Sequence, residues 1–389
     1  MDPVIFLTHI AVILLLGVLA SALASRLLFP DVLLFVLIGA GLGSILYNGV
    51  PLIEFPSMFI ASISLLALAM LVFESTVKIK LKHFDTLSLK TMRLVLFVTP
   101  FEVVLPAAAV YIVFPDVAMP MAILFASMMV GTDPSVILPL LRGAKSKVVD
   151  ILKLEAILNT PFTVLLPFLI FDLVQSVEKI PLAATFIDQI GPFLAKFVSG
   201  LGAGLLIGLI LFKVLRRAYS KMYSPLAIVL GALLAYVLAE GLGGNGVLSV
   251  TTLGLFVGNI SFREKMDLLT LESVLARALY ILVFVLIGSI IKVPFTSEFL
   301  LKSFVVFLAY LAARYFAVAL CLRRDGLSER NKWFMALVSP KGIAVVVVAI
   351  VFSGYNLPEL KIVLDMAFMF VVYSIVVSSV TAWGQKYFL

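Results

Sequence analysis

The stretch Gly131-Thr132-Asp133-Pro134 interrupts a long apolar run, and a second polar tract, from Glu155 to Pro161, follows it. Proline removes a backbone donor from a helix, and a charged side chain within an apolar run is costly to desolvate. Two such interruptions in succession are poor sequence for building a helix, but they suit a binding site inside a membrane. We therefore expect a polar site between transmembrane helices.

The composition is typical of a membrane protein. Of the 389 residues, 63% are hydrophobic and 13% are charged, and the mean hydropathy is +1.20. A soluble domain is about half apolar and about a quarter charged, so one soluble core would not hold this excess. The sequence therefore predicts an all-α polytopic membrane protein.

Few residues are available for metal or nucleophilic chemistry. The single cysteine, Cys321, excludes a disulfide framework and a cysteine-based metal site. The two histidines, His9 and His83, are too few for a histidine metal cluster. Because no Ser/His/Asp arrangement is present either, we expect neither an enzyme nor a bound cofactor.

About thirteen apolar segments are long enough to cross a bilayer, which takes roughly 20 helical residues. Two of them, 118–142 and 333–353, carry an internal break. The predicted spans are 4–25, 29–47, 56–75, 93–114, 118–142, 150–174, 190–215, 224–241, 245–261, 271–292, 298–322, 333–353 and 360–385.

Lysine and arginine collect in alternate connections between these spans. Such connections face the cytoplasm, so the pattern predicts an outside N-terminus and a cytoplasmic C-terminus in the cell membrane. This orientation accounts for the net charge of +7 without a nucleic-acid partner. The basic connections are 76–92, 142–149, 213–221, 263–265 and 323–332, and the poor ones are 48–55, 115–117, 242–244 and 354–358.

The two broken spans occupy corresponding positions in two triplets of spans. The first triplet starts at 93 and breaks at Asp133-Pro134, and the second starts at 298 and breaks at Ser339-Pro340-Lys341-Gly342. This arrangement predicts inverted repeats whose broken helices cross at a site. Lys341 could neutralise the carbonyl ends of the facing half-helices and Asp133 the amide ends, or each charge could only cap its own half-helix.

The tract that begins at Glu155 adds two polar groups on one helix face, because Glu155 and Asn159 are spaced i, i+4. Glu155 needs a partner in the membrane, and Arg277 is the leading candidate. We interpret Glu155–Arg277 as a structural ion pair, with direct substrate contact as the alternative. Asn159 could ligate a cation through its amide oxygen or bond the backbone at the break.

Other ionisable residues also lie in apolar runs. Glu74 ends the third span, where it is either an interfacial residue or a carboxylate that reaches a cation site. Glu102, Arg314 and Asp365 lie inside predicted spans, and the sequence gives them no partner.

Together these motifs resemble those of the monovalent cation–proton antiporter superfamily, closest to its NhaP-type sodium/proton antiporters of archaea and bacteria. The resemblance covers nearly the whole chain, and the set is specific although each motif alone is weak. The matching stretches are Pro30 to Gly39, Thr132-Asp133-Pro134, Glu155-x-x-x-Asn159-x-Pro161, Leu275-Ala276-Arg277 and Ser339-Pro340-Lys341-Gly342.

The resemblance implies a fold of two parts and an activity. It implies a core of approximately 56–175 and 271–389 that carries the ion, and a dimerisation part of approximately 1–55 and 190–261. It also implies a homodimer in a lipid bilayer. Its activity would be the exchange of Na⁺, or of Li⁺ or K⁺, for protons by alternating access.

One departure from the family bears on the mechanism. Thr160 stands where the family has an acid after the asparagine, and Ala156 stands where a serine is often found. Exchange needs a carboxylate that holds either a proton or a cation. Asp133 is then the first candidate, Glu74 the second and Glu155 the third.

The ion-binding residues that we predict are Thr132, Asp133, Asn159, Thr160 and Glu74. Two alternatives stay open because of Thr160. The chain could be an ion-binding sensor or degenerate member without coupled exchange, or it could carry a different solute on the same scaffold.

Overall fold

Helices account for most of the chain in the computed structural model. It describes residues 3–27, 31–47, 50–51, 55–79, 86–141, 144, 146–179, 186–217, 223–260, 265–290, 296–355 and 357–389. The described helices are α1 (Pro3–Leu27), α2 (Asp31–Ser44), α3 (Ser57–Val77), α4 (Thr86–Val113), α5 (Met119–Met128), α6 (Pro134–Leu140), α7 (Lys147–Lys179), α8 (Phe186–Arg217), α9 (Tyr223–Gly241), α10 (Gly246–Asn259), α11 (Lys265–Ile290), α12 (Ser297–Cys321), α13 (Glu329–Leu337), α14 (Ile343–Ser353) and α15 (Pro358–Trp383).

Each predicted span overlaps one helix or one pair of half-helices. The span 118–142 is divided into α5 and α6, and the span 333–353 into α13 and α14. Within the described part of the chain, seven helices are long and apolar enough to cross a membrane by themselves. The all-helical multi-pass class is therefore confirmed.

A short hairpin is the exception to the all-helical class. Strand β1 (Leu46–Tyr47) pairs antiparallel with β2 (Val50–Pro51). Residues 48 and 49, between the two strands, lie outside the described residues. The predicted span 29–47 is accordingly longer than helix α2, which ends at Ser44.

Two helix pairs pack with their backbones in close contact. A methyl group added at Gly39 of α2 would lie 2.9 Å from Gly288 Cα of α11. One added at Gly258 of α10 would lie 2.6 Å from the carbonyl of Val77 in α3. Small residues permit such close crossings in membranes. Helices α3 and α11 are thus fixed against α10 and α2, which belong to the predicted dimerisation part.

The two breaks meet in the interior of the protein. Helix α5 ends at Met128 and α6 begins at Pro134, while α13 ends at Leu337 and α14 begins at Ile343. Pro134 is the first residue of α6, where a helix needs no amide donor, and Pro340 lies in the break between α13 and α14. The amide of Asp133 donates to the carbonyl of Pro340 at 2.9 Å. The predicted crossing of two broken helices is therefore confirmed.

Candidate functional site

A cavity of about 330 Å³ lies beside the crossing of the broken helices. It is lined by the two breaks, by α7, by α3 and by Arg277 of α11. Among the described residues, no group of three or more His, Cys, Asp or Glu side chains is placed to hold a metal. The polar residues that line the cavity are Glu74, Ser75, Lys78, Thr132, Asp133, Thr160, Thr163, Arg277 and Lys341.

Asp133 precedes the first turn of α6, with its side chain against the second break. Its carbonyl accepts the amide of Ile137 at 3.0 Å, and the residue is only 6% exposed. A methyl group added at Gly342 would lie 2.6 Å from Asp133 Cγ, so this close approach requires glycine. The positive end of the α6 dipole favours a carboxylate at this position.

Neutral oxygens surround the first break. Gly131 has φ +83°, a conformation that glycine adopts readily, and it lies against Asn159 and Thr163. Thr132 Oγ1 and Asn159 Oδ1 are buried and have no hydrogen-bond partner within the described ranges. Buried oxygens are normally satisfied, and such oxygens are the ligands that hard cations prefer.

Thr160 and Glu74 line the same cavity but already make contacts. The Thr160 hydroxyl donates to the carbonyl of Ala156 at 2.7 Å within α7. Its oxygen can still accept or coordinate, because a hydroxyl has two lone pairs. Glu74 accepts from Lys78 at 2.6 Å, and its side chain is 25% exposed. The structure thus brings the predicted ion-binding residues to one region, with Glu74 contributed by α3.

Lys341 belongs to the second break, but its ammonium lies at the end of α5. Its ammonium donates to the carbonyl of Gly131 and, at 2.6 Å, to the hydroxyl of Tyr310. Its amide donates to Ser374 Oγ at 2.8 Å, which satisfies the backbone at the second break. A cation at this place compensates for the negative end of α5.

The predicted ion pair between Glu155 and Arg277 is wrong. Glu155 Oε1 accepts from Arg314 of α12 at 2.7 Å. Arg277 instead bonds to Asp31 of α2 and to Ser21 of α1, and its side chain is 46% exposed. The reason is packing: α11 lies along α2, so Arg277 faces Asp31, whereas α12 lies along α4 and enters the buried region.

Arg314 joins two buried carboxylates. It donates to Glu102 at 2.6 Å as well as to Glu155, and its Nε reaches the carbonyl of Met335 at 3.2 Å. Glu102 also accepts the amide of Gly131 at 3.1 Å. All three side chains are fully buried, and the network connects α4, α7 and α12 to the first break at Gly131 and to the last turn of α13 at Met335.

The sequence signal for this network was incomplete. Glu102 and Arg314 are ionisable residues in apolar runs, and charge balance within the membrane could have paired them. Tyr310, whose hydroxyl donates to Glu102 at 3.0 Å, gave no signal because tyrosine is common in apolar helices. Asp365, which the sequence also left without a place, is not among the residues that line the cavity.

Comparison with known proteins gives one family. The family model described as "Sodium/hydrogen exchanger, transmembrane" matches residues 10–383. The K⁺/H⁺ antiporter NhaP2 of Shewanella baltica (strain OS223) is 25% identical over 372 residues, and NhaP2 of Shewanella sp. (strain ANA-3) is 24% identical. In both cases the alignment covers 94% of this chain, which spans only 64% of the relative's length.

Solved structures show the same fold. The chain is similar to the sodium proton antiporter MjNhaP1 from Methanocaldococcus jannaschii at pH 8, with a TM-score of 0.79 and 18% identity. That match covers 98% of this chain and 100% of the other. A second structure of MjNhaP1, from electron microscopy, gives a TM-score of 0.73 at 20% identity and covers 99% and 97% of the two chains.

Proposed function

The chain belongs to the sodium/hydrogen exchanger family, and from this premise we propose that it exchanges a monovalent cation for protons across the cell membrane. The observation that carries the proposal is the position of Asp133. Its carboxylate lies on the cavity at the crossing of the broken helices, beside the buried oxygens of Thr132 and Asn159. Such a group can hold a proton or a cation, but not both at once.

The charges around the crossing favour a cation. Three buried carboxylates, those of Glu102, Asp133 and Glu155, lie near two buried cations, those of Arg314 and Lys341. With all five groups ionised the set has a net charge of −1, and a low-dielectric environment makes that charge costly. Binding either a proton or a monovalent cation would neutralise it, which is the requirement for exchange.

Asp133 is the carboxylate that best meets this requirement. Glu155 accepts a hydrogen bond from Arg314 through one of its oxygens. Glu102 accepts hydrogen bonds from Arg314, Tyr310 and the amide of Gly131. Both therefore serve as framework. Glu74 of α3 is held by Lys78 and stands second, as a carboxylate on the same cavity that receives the ion. Thr160 does not titrate in the useful range and supplies at most a neutral oxygen.

Alternating access would require the helices that line the cavity to move relative to one another. The close packing of α11 on α2 and of α3 on α10 supports assigning α3 and α11 to the scaffold part, which revises the boundaries expected from the sequence. The moving part would then consist of α4–α7 and α12–α15. A homodimer with an outside N-terminus and a cytoplasmic C-terminus completes the proposal.

The cation follows from the relatives only in outline. The relatives NhaP2 are named K⁺/H⁺ antiporters, and MjNhaP1 is named a sodium proton antiporter. We therefore include Na⁺, K⁺ and Li⁺ as substrates of this chain.

A second candidate function rests on Thr160. Because this residue replaces an acid that the resemblance led us to expect, the chain could bind a cation without coupled exchange, as a sensor does. Its signature would be cation binding that releases no proton.

Proteoliposomes test the proposed function. A pH gradient imposed across the liposome should drive uptake of Na⁺, Li⁺ or K⁺, and collapse of the gradient should stop it. Protein-free liposomes give the background. Cation binding to the purified protein, without gradient-driven uptake and without proton release, would favour the sensor instead.

A further inference from the structure

The hydroxyl of Tyr310 is the centre of a buried hydrogen-bond cluster beside the site. It donates to Glu102 Oε1 at 3.0 Å, accepts from Lys341 Nζ at 2.6 Å and bonds to Ser339 Oγ at 2.8 Å. A phenol has one proton and two lone pairs, so these contacts use its full capacity. The tyrosine is fully buried, and the Lys341 ammonium lies 4.4 Å from the centre of its ring.

The backbone places Lys341 next to the carboxylate of Asp133. The preceding residue, Pro340, accepts the amide of Asp133, and the following residue, Gly342, lies against the Asp133 carboxylate. A lysine side chain is long and flexible, and its ammonium attracts any carboxylate within reach. An ammonium paired with Asp133 would occupy the oxygens that a transported cation needs.

The hydrogen bonds of the Lys341 ammonium direct it away from Asp133. Its three N–H groups are matched by three acceptors: the Gly131 carbonyl, the Tyr310 hydroxyl and, at 3.4 Å, Ser339 Oγ. The face of the Tyr310 ring also attracts the Lys341 ammonium, and this cation–π attraction is stronger for a cation that is removed from water. Lys341 is thereby held at the end of α5.

We propose that Tyr310 is a positioning residue, which holds the Lys341 ammonium at the end of α5 and so keeps that ammonium from competing with the cation for the Asp133 carboxylate. This inference rests on the proposed function and adds a residue to it. Tyr310 is not among the residues that line the cavity, and it acts through its contact with Lys341, which is. When the Tyr310 hydroxyl is removed, the Lys341 ammonium keeps only its hydrogen bond to the Gly131 carbonyl and the long contact to Ser339. Asp133 then becomes a competing partner.

The test is Tyr310→Phe, with Tyr373→Phe as the matched control. The Tyr373 hydroxyl bonds to Ser303 at 3.1 Å, and its ring packs on the same neighbour, Phe307, that Tyr310 stacks with. If the ammonium pairs with Asp133 in about nine of ten molecules, the apparent Kd and KM for the cation rise roughly tenfold. The kcat should change by less than about twofold, since the bound state is unaltered.

Cation-dependent thermal stabilisation of the purified protein measures this Kd without transport. The titrants are NaCl, KCl and LiCl, with choline chloride keeping the ionic strength constant. In a Lys341→Gln background, Tyr310→Phe should have no further effect on Kd, because the competing ammonium is gone. Should Tyr310→Phe fail to fold, Ser339→Ala removes a weaker restraint on the same ammonium and should raise Kd by about twofold or more.

The outcomes separate the two proposals. An unchanged Kd in Tyr310→Phe, or an equal effect of Tyr310→Phe with and without Lys341, overturns the positioning role while leaving exchange intact. Cation binding by the wild type without gradient-driven uptake overturns exchange, yet a raised Kd in Tyr310→Phe still supports the positioning role. A wild-type protein that binds no cation overturns both.

Discussion

The amide of Asp133 donates to the carbonyl of Pro340 at 2.9 Å, so the two broken helices are tied together at their breaks. Each break leaves backbone groups that a continuous helix would have paired. Here a carbonyl of the second break accepts an amide of the first. Ser374 and Glu102 accept further amides of the two breaks. The polar site is therefore built on a backbone whose breaks are hydrogen-bonded by the protein's own groups.

Removal of Arg314 should destabilise the protein strongly. Arg314→Ala leaves Glu102 and Glu155 buried without their guanidinium, a loss that typically costs about 3–5 kcal/mol. Lys196→Ala is the comparison, because the Lys196–Asp172 pair is partly exposed and such pairs contribute about 0–1 kcal/mol. Thermal unfolding in detergent measures both. A smaller loss for Arg314→Ala than for Lys196→Ala would contradict the role of the network.

The corrected ion pair can be tested by double-mutant cycles. Glu155→Gln combined with Arg314→Met should show a coupling energy of about 0.5–3 kcal/mol, as expected for contacting residues. Glu155→Gln combined with Arg277→Met should be additive, because Arg277 bonds to Asp31. Coupling in the second cycle and additivity in the first would restore the pair that the sequence suggested.

Gly131 should not tolerate alanine. Its φ of +83° costs an L-residue about 1–2 kcal/mol. The added methyl group would also meet Thr163 Oγ1 and lie 2.8 Å from Asn159 Nδ2. Gly202→Ala is the control, since its added methyl group meets no atom of the described residues within 4 Å beyond its own neighbours and helix backbone. We expect lower thermal stability and weaker cation binding for Gly131→Ala alone, and equal behaviour of the two variants would refute the assignment.

The sequence was sufficient for the fold but only partly for the site. Prolines and charges within apolar runs identified both breaks, because these features oppose helix continuation whatever the tertiary structure. The partner of Glu155 depends on which helix lies beside α7, and no local pattern fixes that. The motif Leu275-Ala276-Arg277 favours Arg277 as the partner, whereas the packing of α12 on α4 brings Arg314 to Glu155.

Thr160→Asp should strengthen cation binding. The new carboxylate would face the cavity that Asp133 lines, and two carboxylates attract a cation more strongly than one. Thr160→Asn, which has similar size but no charge, is the control. The apparent Kd for Na⁺, K⁺ and Li⁺ should fall in Thr160→Asp only. An equal fall in Thr160→Asn would attribute the effect to coordination by a neutral oxygen.

The central claim is that the Asp133 carboxylate carries the exchange. Its most direct test is cation uptake driven by a pH gradient in proteoliposomes, compared between the wild type, Asp133→Asn and Glu74→Gln. We predict that Asp133→Asn abolishes uptake while the protein remains folded. An amide does not take up and release a proton, and it has no negative charge to neutralise a bound cation. Glu74→Gln should retain part of the uptake. Uptake by Asp133→Asn at the wild-type rate would contradict the account.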